Sequence, residues 1–224
     1  MITLRKDHRS SFTAALKPIV AGIALSLVLG VSAAVANIMP DYSFESATAG
    51  TTITATGMTN VCSNIRFYNG GTGTLQVVSG AAAQDGNVAL KLSKTTESDS
   101  VFIDMDAAPT DSWIPVTAGQ SYEVSFWARS DSDSWFVFEE RGYSDWTPIA
   151  TNYTGWVLNS AWTEYTSTWI APTSVTKLDL AWNLGKGSMV LDNVCVQAVP
   201  EPASMLAMFG GFVGFVGLAI RRKK

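Results

Sequence analysis

The sequence predicts an all-β domain, a sandwich or a barrel, on three observations. Short runs rich in Val, Thr, Phe, Tyr and Trp recur along its middle, separated by clusters of Gly, Ser, Asp, Asn and Pro. One run, Tyr122 to Arg129, alternates apolar and polar residues as a half-buried strand does. No segment of that region carries the 3.6-residue period of an amphipathic helix, and many short strands without helices close into a sandwich or barrel.

The strands follow in order. Asn87–Leu92 and Val101–Met105 come first. In Tyr122–Arg129, the side chains of Tyr122, Val124, Phe126 and Ala128 share one face, and Glu123, Ser125, Trp127 and Arg129 the other. Trp135–Glu139 follows, then Trp162–Ile170, which Ala171-Pro172 ends. Lys177–Trp182 and Met189–Gln197 form a last pair, joined by a turn at Leu184-Gly185-Lys186-Gly187. The stretch Arg141–Leu158 reads as loop.

The two ends of the chain differ in kind from the middle. Arg5, Lys6, Arg9 and Lys17 form a basic n-region, Ile19–Val31 an apolar h-region, and Ala34-Val35-Ala36 an A-x-A cleavage site. Residues 1–36 are therefore expected to be a signal peptide read by the Sec export machinery, and the mature chain to begin at Asn37. At the other end, Val199-Pro200-Glu201-Pro202 precedes an uncharged run, Ala203–Ile220, and then Arg221-Arg222-Lys223-Lys224. Such a run rises about 27 Å as a helix, close to a hydrocarbon core of roughly 30 Å. A transmembrane helix over 203–220 is expected, with its cations inside and the domain outside.

What lies between, residues 37–198, is one domain by length. The chain's formal charge is −4, but eight of its 15 cations and two of its 19 carboxylates lie in the two ends. The domain keeps 7 against 17 and stands near −10. That balance argues against nucleic acid and against anionic membrane surfaces as partners. The one histidine, His8, leaves with the signal peptide. A Ser-His-Asp triad, a Cys-His dyad or a His-based zinc site cannot be built without one. Export into an oxidising compartment predicts a disulfide between Cys62 and Cys195; the alternative is two buried thiols.

Two resemblances join these readings. The tail, with its Pro200-Glu201-Pro202 motif, apolar span and Arg221-Arg222 cluster, resembles the PEP-CTERM sorting signal of bacteria that export extracellular polysaccharide. That resemblance implies an exosortase, a membrane transpeptidase, as partner. It also implies an inner-membrane intermediate with the domain periplasmic, and then display at the cell surface or release. The domain resembles carbohydrate-binding jelly rolls of the galactose-binding-like type. The resemblance lies in the opening Asn37–Glu45, in Asp85–Leu92, in Val116–Arg129, in Trp162–Tyr165 and in the closing Val190–Val194. It implies a jelly-roll β-sandwich and a structural calcium held by Glu45 and Asp192, whose oxygens suit a hard cation.

Eight Trp lie in the domain. Flat rings stack on sugars while amides and carboxylates bond their hydroxyls. By alternation Trp127 and Arg129 point away from the core, and Trp135 and Glu139 are expected on that same face. Trp146 and Trp156 fall in the loop-like stretch, where binding residues gather. Trp113, Trp162, Trp169 and Trp182 are expected in the core. Glycoside hydrolysis needs only two carboxylates, and Glu139, Glu140, Asp145 and Glu164 are the candidates, although adjacent Glu139 and Glu140 must face opposite ways. The reading is an exported, non-catalytic protein binding extracellular polysaccharide. Its alternatives are a structural surface protein without a sugar ligand and a small glycoside hydrolase.

Overall fold

The computed structural model describes residues 36–39, 43–62, 65–105, 113–144 and 147–200. The signal-peptide segment up to Val35 and the predicted membrane helix over 203–220 lie outside the described residues. Among the described residues no helix is long and apolar enough to cross a membrane.

Thirteen strands run along the described residues. They are β1 (Thr52–Ile53), β2 (Gly57–Cys62), β3 (Ile65–Asn69), β4 (Thr74–Ser79), β5 (Val88–Ser93), β6 (Val101–Asp104) and β7 (Ile114–Pro115). After them come β8 (Ser121–Arg129), β9 (Trp135–Tyr143), β10 (Pro148–Val157), β11 (Thr163–Ile170), β12 (Lys177–Lys186) and β13 (Ser188–Ala198). The predicted strands all appear. β9 and β12 run longer than the sequence suggests, and the final turn tightens to Gly187, held at φ +75°.

The strands form two antiparallel sheets. One has six strands in the order β1-β4-β5-β13-β8-β11, the other seven in the order β10-β9-β12-β6-β3-β2, with β7 beside β12. The stretch read as loop, Arg141–Leu158, holds the end of β9 and the whole of β10, the edge of the seven-stranded sheet. Pro148, Asn152 and Gly155 disguise it, and an edge position tolerates such residues.

Period-two patterning sets what is buried. On β8, Tyr122, Val124, Phe126 and Ala128 are buried while Glu123, Ser125, Trp127 and Arg129 face outward. Phe136, Phe138, Leu180 and Trp182 answer from the facing sheet. The Phe126 ring lies 5.1 Å from that of Phe138 and 5.5 Å, edge-on, from that of Trp182. Each such ring contributes about 1.5–3 kcal/mol through burial. This core lies wholly within one compact unit, Ala36–Glu201, so the unit has what it needs to fold by itself.

The unit also takes in the expected mature start. Asn37 donates from Nδ2 to Val194 O at 3.2 Å, its Oδ1 accepts the Val196 N–H at 2.9 Å, and Ile38 N–H donates to Val196 O. These bonds fall at the irregularity between Asp192 and Cys195 in the β13–β8 pairing.

No disulfide joins Cys62 and Cys195, which corrects that expectation. Cys62 ends β2, the far edge of the seven-stranded sheet. Cys195 lies on β13 in the six-stranded sheet, between buried Val194 and Val196, so its side chain points outward, away from the other sheet. Its Sγ accepts a bond from Gln197 Nε2 at 3.1 Å. Burial raises the Cys195 pKa, which keeps it a thiol.

Candidate functional site

The outer face of the seven-stranded sheet gathers polar and aromatic groups from four strands, β3, β6, β9 and β12. Alternation turns Ile65, Phe67, Ile103 and Leu180 inward and leaves their neighbours outward. Register then sets Arg66 beside Asp104, Tyr68 beside Phe102, Arg141 beside Asp179 and Glu139 beside Ala181. The Tyr68 and Phe102 rings stack at 4.9 Å with planes 23° apart.

An ion-pair chain crosses the strands beside this aromatic pair. Arg66 Nε lies 3.3 Å from Asp104 Oδ1, and Arg141 Nη1 lies 3.8 Å from Asp104 Oδ2. The same Nη1 donates to Asp179 Oδ2 at 3.1 Å, and Arg141 Nε to Glu139 Oε2 at 2.8 Å. Asn183 Nδ2 donates to Glu139 Oε1. The Arg141 guanidinium also lies 5.9 Å over the Phe102 ring, a cation–π contact.

The floor of this face is desolvated. Burial, reinforced by the nearby Asp104 charge, pushes the Asp179 carboxyl up to about 7 against the pull of Arg141 and Arg66. Asp179 Oδ1 is buried and has no hydrogen-bond partner among the described residues, which suits a carboxyl that holds its proton readily. Burial also raises Asp104, against the pull of Arg66 and Arg141. Arg141 is disfavoured by burial, yet Asp179 and Glu139 raise its pKa beyond the ordinary value. The face thus offers an aromatic platform beside guanidinium, carboxylate and amide groups fixed by one another. Such a surface can pack against a sugar ring and bond its hydroxyls.

Of the predicted sugar contacts, Glu139 lies in this strip. Trp135 is on the same outer face at the end of β9, 44% exposed, with its ring against Gly185, where a Cβ would collide with it. Trp127 and Arg129 are elsewhere: β8 belongs to the six-stranded sheet, and its outward side chains lie on the opposite surface of the sandwich. There Arg129 lies 5.3 Å over the Trp162 ring and pairs with Asp131 at 2.6 Å. Trp156 points inward and packs on Phe126, Phe136 and Tyr165. Trp146 lies outside the described residues. Among the Trp expected in the core, Trp182 and Trp169 are there, Trp113 pairs with Tyr143 in a small separate cluster, and Trp162 is half-buried beneath Arg129.

The three described hydrolase candidates, Glu139, Glu140 and Glu164, do not converge. Glu139 is on the outer face of the seven-stranded sheet and Glu164, in register with Trp127, on that of the six-stranded sheet. Glu140 is buried between the sheets, accepting from Asn152 at 2.7 Å and Ser167 at 3.2 Å. Asp145 lies outside the described residues. Sequence reasoning missed Arg66, Tyr68, Phe102, Asp104, Arg141, Asp179 and Asn183. The available signal was charge scarcity: Arg66 and Arg141 are two of only seven cations in the domain.

Glu45 and Asp192 meet at one loop. Glu45 Oε1 accepts the N–H of Asn87 at 2.7 Å and of Val88 at 3.2 Å, and Oε2 accepts Asn87 Nδ2. Asp192 Oδ2 accepts the N–H of Gln84 at 2.7 Å and of Asp85 at 3.0 Å, and Oδ1 that of Asn193. Gly86, at φ +64°, turns the loop where a Cβ would strike the Glu45 carboxylate. The Asn87 N–H holds Glu45 below its ordinary pKa, while burial pushes Asp192 up to about 6 despite its backbone donors. No cluster of three or more metal-binding side chains occurs among the described residues. Each carboxylate accepts three bonds and retains one acceptor position, and oxygens of this kind are the ones a hard cation takes.

Of the sorting tail, Pro200 is described and exposed. Glu201, Pro202, Arg221 and Arg222 lie outside the described residues, as does Ala34 of the cleavage site; Ala36 begins the described chain, exposed.

A β-sandwich whose outer sheet face carries an aromatic pair and a fixed polar strip is compatible with a sugar-binding module. The family model of the carbohydrate binding domain matches residues 36–191, and the chain belongs to that family. A model of the PEP-CTERM protein-sorting motif matches residues 198–223, which marks the protein as exported. Among solved structures, the enzymatically active domain of the bacteriophage CBA120 tailspike protein 4 is similar in fold, with a TM-score of 0.54 at 14% identity. That match covers 73% of this chain and only 21% of the tailspike chain. A family 61 carbohydrate-binding module, solved with β-1,4-galactotriose, gives 0.49 at 14% identity over 73% of this chain and 99% of its own. A family 4 module gives 0.45 at 15% over 71% and 99%. A search of curated proteins finds no match.

Proposed function

We propose that this is an exported, non-catalytic protein that binds extracellular polysaccharide through the outer face of its seven-stranded sheet. One observation carries the reading. In a carbohydrate-binding-family domain, the stacked Tyr68–Phe102 pair lies beside the Arg66–Asp104–Arg141–Asp179–Glu139 strip on the outer face of the seven-stranded sheet. Tyr68 and Phe102 supply the platform, and Arg66, Arg141, Glu139 and Asn183 bond sugar hydroxyls. A glycan array that includes the producing cell's own extracellular polysaccharide tests this. Silence on every glycan would favour a structural surface protein instead.

Sorting supplies the address. The signal peptide, residues 1–36, delivers the chain through the Sec machinery, and an exosortase processes the tail from the periplasmic side of the inner membrane. The protein then reaches the surface or the matrix. The bonding of Asn37 into β13 supports a mature start there. Mass spectrometry of the exported protein tests both ends: the account expects Asn37 first and Lys224 absent.

A calcium ion held by Glu45 and Asp192 would brace the 84–88 loop between chain start and end. Its role there is structural, neutralising the buried Asp192 carboxylate.

A further inference from the structure

Among the described residues β10 is the outermost strand of the seven-stranded sheet, paired with β9 on one side only. Its other edge offers main-chain N–H and C=O groups, a template for a further strand. Edge strands are usually blunted by charge, yet no charged residue occurs from Thr147 to Thr163, in a domain near −10. Apolar side chains concentrate here. Tyr153 is 64% and Val157 69% exposed, Ile149 is also exposed, and Trp135 is the cross-strand partner of Val157. Among the described residues the protective devices are Pro148 and the register shift between it and Ala150, which leave Ala150–Val157 regular.

We infer that β10 is a self-association edge: two copies of this chain pair their β10 strands antiparallel about a two-fold axis, fusing two seven-stranded sheets into one. Charge selects the occupant. Two copies repel over most of their acidic surface, and this uncharged flank lets them approach. A two-fold pairing is also self-complementary, since one edge serves both partners.

The pleat restricts the register. Residues paired across antiparallel strands share a face, so each outward residue of Ala150–Val157 must meet another outward residue of the copy. Near-complete overlap then leaves two registers, centred on Tyr153 or on Thr154. The first sets Tyr153 against Tyr153. The second sets Tyr153 against Gly155, with the two Tyr153 diagonal to one another and still within aromatic reach. Either way both polar strips lie on one continuous face. If the proposed function holds, the dimer is bivalent toward a polymer. The pairing itself does not depend on that.

Sedimentation velocity on the isolated unit, residues 37–199, over a micromolar to millimolar series tests it. The account expects concentration-dependent monomer–dimer exchange that strengthens with salt as acidic repulsion is screened. Tyr153→Lys and Tyr153→Glu should each weaken dimerisation by about tenfold or more through like charges set face to face. Mixing the two variants should restore it. Because Tyr153 is exposed, an unchanged far-UV spectrum and melting temperature will verify that the variants fold. A wild type that stays monomeric at about 1 mM overturns the proposal. So does a dimer indifferent to both substitutions, or one that the mixture does not restore. Loss of glycan binding in these variants with a monomeric wild type would assign the patch to sugar and overturn it as well.

Discussion

Arg141 and Asp179 stand in register on β9 and β12, with Nη1 3.1 Å from Oδ2, and this pair organises the outer face of the seven-stranded sheet. Arg141 also holds Glu139 and faces Asp104, so it is the cation on which three carboxylates converge.

Arg141→Ala should therefore be costly. Removing one partner of a buried pair leaves an uncompensated charge and costs about 3–5 kcal/mol, and the partial exposure of Arg141 places this case toward the lower end. Asp179→Asn should cost much less, because it removes the charge together with its burial penalty. Urea denaturation of the two single variants and the double variant checks the coupling.

Stability should fall as pH rises from about 4 to 7. Asp179 is pushed up to about 7 and Asp192 to about 6 in the fold, both by burial, against an ordinary carboxylate value of 3.8. Between those limits the folded state binds more protons than the unfolded chain, so its stability is full below about pH 4 and is lost through the folded values. Glu45, Asp99 and Asp131, all lowered by hydrogen bonds they accept, act in the opposite sense at more acid pH. Melting temperatures from pH 4 to 8 should decline upward, and Asp179→Asn should flatten the decline.

Calcium should raise the melting temperature and a chelator lower it again. Saturation at 100 times the dissociation constant stabilises by about 2.7 kcal/mol. Asp192→Asn should abolish the response. A melting curve unmoved by calcium would leave Glu45 and Asp192 as ties for the 84–88 loop alone.

The sequence disclosed strands more readily than surfaces. Tyr122–Arg129 showed which of its residues turn inward, because alternation is a local property. It could not show that the next strand, Trp135–Tyr143, crosses to the other sheet. Thus Trp127 and Glu139, assigned to one face, stand on opposite surfaces. Trp156 reads as a loop residue because Pro148 and Gly155 mask an edge strand. The site itself is assembled by register among β3, β6, β9 and β12, strands far apart in the chain, so Arg66 and Asp179 carried no mark of their meeting. Cys62 and Cys195 mislead in the same way: the compartment favours a bridge, but the outward direction of Cys195 on its strand forbids it.

The most direct test is titration calorimetry with the saccharide that scores highest on the glycan array, comparing Phe102→Ala, Tyr68→Ala and Trp127→Ala with the wild type. Truncating an aromatic that anchors a ligand costs about 2 kcal/mol, some thirtyfold in affinity. The account predicts that loss, of at least about tenfold, for Phe102→Ala and Tyr68→Ala in folded protein, and unchanged affinity for Trp127→Ala. Full binding by the first two variants, or its loss in Trp127→Ala, would contradict it.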